Sequence, residues 1–266
     1  MRQSVDNVSA SKEEARRDLA SALLPTVGAS ALYLLPGLLL AQIAQLLVLR
    51  AVGTQQQLPP GQLAACVGLY LLARLLIEQP LYFGLTQYCA LLRAGARPRA
   101  SLVTLCLGEG RLYAASLRLS LLVALFSLLW AVPIAAAAGG AVYALSLVLT
   151  GRFGLYLSAG IVLTALLVYA CAVARYHCAY ALLAERRELG CWRAVRLAAR
   201  SFRGHGHELF RLTAGFFSWF LLAMLLGTLL LLYVCPYYVL SLYHLFDRAR
   251  GVRIQAEAKQ TGESTE

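Results

Sequence analysis

Residues 113–138 read YAASLRLSLLVALFSLLWAVPIAAAA, and Arg118 is the only charged side chain among them. About 20 consecutive apolar residues are enough for a helix to cross the roughly 30 Å hydrocarbon core of a bilayer. The stretch is therefore predicted to be a transmembrane helix.

Comparable apolar stretches lie on both sides of this one. Together they predict about six transmembrane spans, at residues 22–49, 62–92, 113–138, 155–183, 209–226 and 228–247. The apolar run that starts near residue 209 continues to Phe246, which is too long for one crossing, and Gly227 is the best candidate for the turn that divides it. The fold class is thus predicted to be all-α, a polytopic membrane helical bundle in which residues 22–250 form a single transmembrane domain.

The spans show a loose repeat. A polar or amphipathic segment precedes a pair of spans three times, at residues 11–21, 100–111 and 188–207. This order predicts three helical hairpins with amphipathic cytoplasmic surface helices. Chance similarity among apolar segments is an equally open interpretation. The glycine pair Gly139-Gly140 is predicted to end the third span, and residues 141–154 are predicted to be an outer connection, either irregular or partly helical.

The composition excludes several classes of protein. Of 266 residues, 60% are apolar and 14% are charged, and the mean hydropathy is +0.66. Such a chain does not read as soluble. Six spans also leave no room for a separate soluble catalytic domain. The net charge of +11 does not indicate nucleic-acid binding, because the arginines flank apolar spans instead of covering a soluble surface.

The positions of the basic residues predict the topology. Of 24 lysines and arginines, 20 fall in four groups, and each group lies at the end of a predicted span. Basic loops stay in the cytoplasm. Residues 1–21 are therefore predicted to be a cytoplasmic N-terminal segment, and residues 251–266 a disordered cytoplasmic tail. The predicted location is the cytoplasmic (inner) membrane, crossed several times, with both termini inside the cell.

Two charged residues lie inside the second predicted span. Arg74 and Glu78 are four residues apart and so share one helix face. Charges within a membrane are expensive and are functional candidates by default. Gln42 and Gln45 of the first span are predicted to hydrogen-bond to this pair across the helix interface. The set is either a structural ion pair that fixes helix register or a site for a polar substrate or proton.

The segment 188–203 is predicted to be a basic amphipathic helix. Apolar residues recur at helical spacing along it, and a neighbouring face carries Arg193, Arg196, Arg200 and Arg203. Trp192 and long basic side chains suit the headgroup layer of a bilayer. Two interpretations remain open: a loop that only sets topology, or a surface that binds anionic lipid or a protein partner.

No catalytic or metal-binding pattern is present in the sequence. His205 and His207 lack the further ligands that a zinc site needs. The seven cysteines contain no C-x-x-C pair, which argues against a zinc site or a disulfide framework. Patterns typical of hydrolases, metalloproteases and nucleotide-binding loops are also missing. We therefore expect a protein that is not an enzyme and uses neither a cofactor nor a metal ion.

From Tyr176 to Arg250 several features follow one another in a characteristic order. A tyrosine near the end of a span is followed by a polar turn, a helix that ends in a serine and a glycine, a Phe-rich span with a tryptophan, a further glycine and a Pro-Tyr pair. The residues are Tyr180, Ser201, Gly204, Trp219, Gly227, Pro236 and Tyr237. This order resembles a bacterial integral-membrane family of unknown function, number 975 in the domain-of-unknown-function series.

The resemblance implies a membrane-embedded, non-enzymatic protein of bacterial origin, and it supplies no assigned activity. The family is also similar to the membrane portion of certain glycerophosphodiester phosphodiesterases, which is not their catalytic portion. The resulting expectation is a non-catalytic membrane protein that binds anionic lipid, or a membrane-protein partner, through the helix at 188–203. The alternative is a small transporter or permease component with a polar site around Glu78.

Overall fold

The computed structural model of the chain describes residues 2–53, 60–149, 151–186 and 188–263. These residues are almost entirely helical and contain no β-strand, which confirms the all-α prediction. In chain order the α-helices are α1 (Arg2–Ser21), α2 (Leu23–Gly53), α3 (Pro60–Ala73), α4 (Gln79–Arg93), α5 (Leu102–Gly108), α6 (Gly110–Val148), α7 (Arg152–Glu185), α8 (Cys191–Ser201), α9 (Gly206–Leu226) and α10 (Leu231–Glu263). A π-helical turn, Arg74–Glu78, joins α3 to α4, and a 3-10 turn, Thr228–Leu230, precedes α10.

Four helical segments in the described part of the chain are long and apolar enough to cross a membrane. They are Leu23–Leu46, Ala65–Arg93, Gly110–Val148 and Arg152–Glu185, and they overlap the first four predicted spans. Large apolar side chains on them are exposed, such as Leu39 at 62% and Leu129 at 66%. Soluble proteins rarely expose such continuous apolar surface. The chain is therefore a membrane protein by the length, composition and exposure of these helices.

The third span is longer than predicted. Helix α6 contains 39 residues and continues through Gly139 and Gly140 to Val148. The predicted helix break at Gly139-Gly140 is therefore wrong, and residues 141–148 of the predicted outer connection are helical. Glycine costs about 1 kcal/mol in a helix in water. Here alanines at 135–138 and 141 flank the pair, and alanine is the strongest helix former, so the helix continues through it.

The predicted division at Gly227 is confirmed. Helix α9 ends at Leu226, and Gly227 has a φ of +102°. A residue with a side chain rarely adopts this left-handed conformation. The chain therefore turns here, through Thr228–Leu230, into α10.

Helix α10 continues into the segment that was predicted to be a disordered tail and ends at Glu263. This stretch is rich in alanine, glutamate, glutamine, lysine and arginine, which are strong helix formers. Residues 264–266 of the predicted tail lie outside the described residues.

The buried side chains form two clusters that meet at α10. The first surrounds the end of α7, where Tyr180 is buried among residues of α6, α8 and α9. The second lies between α1, α2 and α4 and includes Leu85 and Tyr88. Leu245 of α10 belongs to the first cluster and Leu240 to the second. The last helix thus connects the two halves of the bundle.

The amphipathic surface helix predicted within residues 100–111 is shorter and more deeply packed than predicted. Helix α5 touches α4 backbone to backbone, because a Cβ atom at Gly84 would lie 2.2 Å from the carbonyl oxygen of Val103. Val103 and Cys106 are fully buried. One face of α5 therefore belongs to the core of the bundle.

An ion-pair cluster joins the ends of three helices. Arg93, the last residue of α4, pairs with Glu185 at the end of α7 and with Asp247 of α10, the latter at 3.0 Å. Arg250 lies 3.8 Å from the other oxygen of Glu185. The side chain of Arg93 is only 12% exposed. These contacts fix the ends of α4, α7 and the apolar part of α10 at the same end of the bundle.

Helix α1 is bound to α10 by a second set of charges. His244 Nε2 lies 2.8 Å from Asp18 Oδ2, and Arg248 Nη2 donates to Glu14 Oε1 at 2.7 Å. Between these contacts the apolar face of α1, including fully buried Ala15, packs in the second cluster. The N-terminal segment is thus part of the bundle and lies at the end that carries Arg93.

Candidate functional site

The two charges inside the second span form a bidentate ion pair. Arg74 Nη2 donates to Glu78 Oε1 at 2.6 Å, and Arg74 Nε donates to Glu78 Oε2. Two parallel N–H···O bonds to one carboxylate are the strongest form of this pairing. Glu78 is 8% exposed, whereas the side chain of Arg74 is 46% exposed. The predicted pairing of these two residues is confirmed.

Helix α2 approaches this pair through a glycine. A Cβ atom at Gly37 would lie 3.3 Å from Glu78 Cδ, so the backbone of α2 runs directly beside the carboxylate. Small residues allow such close helix approach in membranes. On the other side, the Arg74 guanidinium lies 5.9 Å from the centre of the Tyr70 ring, a cation–π distance.

The predicted hydrogen bonds of Gln42 and Gln45 to the Arg74–Glu78 pair are not formed. Both side chains are exposed, and the residue of α2 that faces Glu78 is Gly37. Gln42 follows Gly37 by five residues, which turns it about 140° around the helix. Gln45 lies about 12 Å farther along the helix axis than Gly37. The geometry of an α-helix therefore keeps both amides away from the pair.

The pair sits on a π-helical turn, which sequence analysis did not predict. The five residues Arg74–Glu78 form this turn between α3 and α4. A π-turn adds one residue to the local hydrogen-bonding ring and rotates the face that follows it, and such turns are frequent at functional sites. The sequence carries no separate signal for it beyond the position of the two charges inside an apolar span.

The predicted basic helix has one buried and one exposed face. Helix α8 covers Cys191–Ser201, inside the predicted 188–203 segment. Its buried side chains, which pack on α7, are Ala194, Val195, Ala198 and Ser201. Its exposed side chains include Trp192, Arg193, Arg196 and Arg200. Arg203, just beyond the helix, is also exposed. The five predicted residues therefore share one solvent- or lipid-accessible region.

A further arginine joins this region and was not predicted as a site residue. Arg175 of α7 lines the same cavity as Arg196, Arg200 and Arg203. Its guanidinium lies 4.9 Å from the centre of the Trp130 ring and 5.1 Å from that of Tyr176. In the sequence it is one isolated arginine near the end of a span. Only the packing of α8 against α6 and α7 brings it to the other three.

Three residues of the resemblance pattern have local structural roles. Ser201 is buried and donates its hydroxyl to the Leu197 carbonyl oxygen at 3.0 Å. Gly204 has a φ of +90° and Gly227 a φ of +102°, so both occupy a conformation that favours glycine. Ser201 and Gly204 thus end α8 and turn the chain toward α9.

Three further pattern residues lie in the last helical pair. Trp219 of α9 is 47% exposed. Pro236 lies inside α10. Tyr237 packs edge-on against Phe216, with ring centres 4.9 Å apart. Of these three, Tyr237 contributes directly to the contact between α9 and α10.

The segment that contains His205 and His207 contributes to helix packing. His205 Nδ1 lies 3.3 Å from Glu208 Oε2, and Asn7 Nδ2 donates to Glu208 Oε1 at 3.1 Å. These contacts join α1 to the start of α9. Among the described residues, no group of three or more His, Cys, Asp or Glu side chains is arranged to hold a metal ion.

Comparison with known proteins identifies the family. The model of a family described as "Protein of unknown function (DUF975)" matches residues 11–251. The match extends far upstream of Tyr176, where the resemblance in the sequence begins. No curated protein and no solved structure matches the chain. Because the family model covers most of its length, the chain belongs to the DUF975 family.

Proposed function

We propose that this protein is a non-catalytic component of the cytoplasmic membrane that binds anionic phospholipid through the exposed arginines of α8. One observation carries the proposal: Arg193 and Arg196 are exposed on a helix whose other face is packed in the bundle. Within the described residues, neither arginine forms an ion pair with a carboxylate.

Energetics favour lipid phosphate as the partner of these charges. Near an anionic leaflet each lysine or arginine contributes on the order of 1 kcal/mol of attraction. Trp192, 54% exposed on the same helix, is a residue type enriched at headgroup level. Several cations and a tryptophan on one face together give the composition of an interfacial helix.

The proposed topology has six spans, with α9 and the apolar part of α10 as the fifth and sixth. Gly227 separates these two helices, as a hairpin requires. An even number of crossings puts both termini on one side. The ion pairs of Arg93 with Glu185 and Asp247, and of Glu14 with Arg248, support this arrangement because they join the ends of helices that are proposed to be cytoplasmic.

Charge reversal tests the lipid proposal. The variant Arg193→Glu/Arg196→Glu/Arg200→Glu is compared with the wild type for thermal stabilisation by added phosphatidylglycerol, in mild detergent. We expect the half-maximal lipid concentration to rise about tenfold or more, since three attractions become repulsions. Phosphatidylcholine serves as the zwitterionic reference.

The matched control is Arg97→Glu/Arg99→Glu/Arg111→Glu. These three exposed arginines lie outside α8, and their reversal changes the net charge by the same amount. Equal losses in the two triple variants would mean that total charge, and not α8, attracts the lipid. An unchanged response of the α8 variant to phosphatidylglycerol would reject the proposal.

A second candidate function is that of a small transporter or permease component with a polar site at Arg74 and Glu78. The observation in its favour is that a nearly buried carboxylate lies on a π-helical turn within a span. This candidate predicts that Glu78→Gln abolishes substrate-dependent flux in proteoliposomes. Unaltered flux in the variant would leave the pair with a structural role only.

A further inference from the structure

A cavity of about 360 Å³ lies between α6, α7 and α8, and four arginines line it. They are Arg175 of α7, Arg196 and Arg200 of α8, and Arg203 just after α8. No carboxylate is among the described residues that line it. Its volume falls within the range of small-molecule sites, about 300 to 1,000 Å³.

Arg175, the least exposed of these arginines, is held without an acidic partner. The guanidinium of Arg175 lies over the rings of Trp130 and Tyr176, and its Nε donates to the Ala172 carbonyl oxygen at 2.9 Å. Trp130 Nε1 in turn donates to the Tyr176 hydroxyl at 3.1 Å. Stacking on aromatic faces orients a guanidinium while leaving its remaining N–H groups available. Arg175 is thus prepositioned as a donor.

The arginines of this cavity differ from those of the second span and of the ion-pair clusters at the helix ends. Arg74, Arg93, Arg248 and Arg250 each form an ion pair with a carboxylate. Within the described residues, Arg175, Arg196 and Arg203 form none. Like charges around one partly desolvated cavity repel one another unless an anion enters. A guanidinium cluster of this kind suits a phosphate group, whose oxygens accept paired N–H donors.

The surroundings of the cavity favour a phosphate that carries acyl chains. Arg175 precedes the end of α7 by ten residues, or about 15 Å along the helix axis. Seven residues earlier in α7, and so on the same helix face as Arg175, Val168 is 44% exposed and lines an apolar groove with Ile134 of α6. A ligand with an anionic head and apolar tails would place its phosphate among the arginines and its tails along this groove.

We propose that this cavity holds the phosphate headgroup of one anionic phospholipid, which enters sideways from the bilayer. The inference rests on the proposed function and deepens it, since it replaces a general attraction by a single site with Arg175 at its base. Arg175 and Arg196 donate to the phosphate oxygens, and the apolar groove lined by Ile134 and Val168 holds the acyl chains.

Native mass spectrometry of the full-length protein tests the site. The wild type is titrated in separate experiments with phosphatidylglycerol and with phosphatidylcholine. Soluble glycerol phosphate and inorganic phosphate are each added as competitors of the lipid. We expect one phosphatidylglycerol per chain to bind most tightly, and Arg175→Gln and Arg196→Gln each to weaken that binding about tenfold or more, because a charge-assisted donor is lost. Glycerol phosphate or inorganic phosphate that displaced the lipid at equal concentration would overturn its assignment as the ligand.

The control is Arg193→Gln, which removes the same charge from the same exposed face but does not line the cavity. Its expected loss is less than about threefold, from long-range attraction alone. Arg196→Gln keeps the test valid if Arg175→Gln fails to fold, because Arg196 is exposed. Equal weakening by Arg193→Gln and Arg196→Gln would reject the cavity and leave the proposed function intact. If, in addition, the triple reversal on α8 had no effect, both proposals would fail.

Discussion

Arg74 and Glu78 show how a membrane span can carry two charges. The bidentate contact satisfies the carboxylate, and the close backbone of α2 at Gly37 shields it. Removal of one partner from such a pair leaves a charge without compensation in a medium of low dielectric constant, which costs far more than the pair itself contributes. The pair is therefore tolerated only as a unit.

The first prediction concerns this unit. Glu78→Gln is expected to lower the free energy of unfolding by about 1 to 3 kcal/mol, because it leaves Arg74 without a carboxylate. The double variant Arg74→Leu/Glu78→Leu is expected to be closer to the wild type, since it removes both charges. Thermal unfolding in detergent measures the difference. A double variant that is as unstable as the single one would contradict the claim that the two charges are tolerated only as a pair.

The candidate residues differ in how far the sequence could predict them. The Arg74–Glu78 pair was predictable, because its geometry depends only on spacing within one helix. The neighbours of the pair were not, since they depend on how α2 is rotated, and the rotation brought Gly37 and not Gln42 to the carboxylate. Arg175 was missed for the same reason: Trp130 and the other arginines of its cavity lie outside α7.

At the scale of the helices, the sequence predicted the positions of the first four spans better than it predicted their ends. Apolar runs predicted where the first four spans lie, because hydropathy needs no knowledge of packing. Glycine, read by the rules of water-soluble helices, predicted a break at Gly139 that is not present. At Gly227 the same signal was correct, because the chain there adopts a positive φ. The residue type alone does not distinguish these two situations.

The second prediction tests the contact between α4 and α5. Gly84→Ala is expected to destabilise the protein by about 1 to 3 kcal/mol, because the new Cβ would meet the backbone of Val103 and two helices would have to separate. Gly160→Ala is the matched control. Gly160 also lies in a helix, but nothing lies within 4 Å of its Cβ position.

For Gly160→Ala we expect no loss of stability, or a gain of a few tenths of a kcal/mol from helix propensity. Both variants are compared by thermal unfolding of the purified protein in the same detergent. Equal melting temperatures for the two alanine variants would show that α5 does not pack against Gly84.

The third prediction concerns the ion-pair cluster at the helix ends. Arg93→Gln is expected to lower the free energy of unfolding by about 1 to 3 kcal/mol, because Glu185 and Asp247 lose a cation that is only 12% exposed. The control, Arg17→Gln, removes an exposed pair with Glu13, for which the cost is about 0.5 kcal/mol or less. A loss for Arg93→Gln no greater than for Arg17→Gln would show that the cluster does not fasten the helices.

At the scale of the whole molecule, the positions of the charged residues explain the arrangement of the bundle, whereas the net charge does not. The sequence placed basic groups at the ends of spans, and this pattern predicted that those ends lie together. The acidic partners Glu14, Asp18, Glu185 and Asp247 were not predicted, because each depends on a contact between distant segments. Their positions give the basic end of the bundle a physical reason to assemble.

The fourth prediction follows from this arrangement and concerns the sidedness of the basic segments, on which the lipid proposals depend. Epitope tags are inserted singly at Gly95, between α4 and α5, and at Gly190, just before α8, where both positions are exposed. Antibody binding is then measured on bacterial spheroplasts that express each tagged protein, before and after permeabilisation. We expect both tags to bind antibody only after permeabilisation. Binding of either tag on intact spheroplasts would contradict the account.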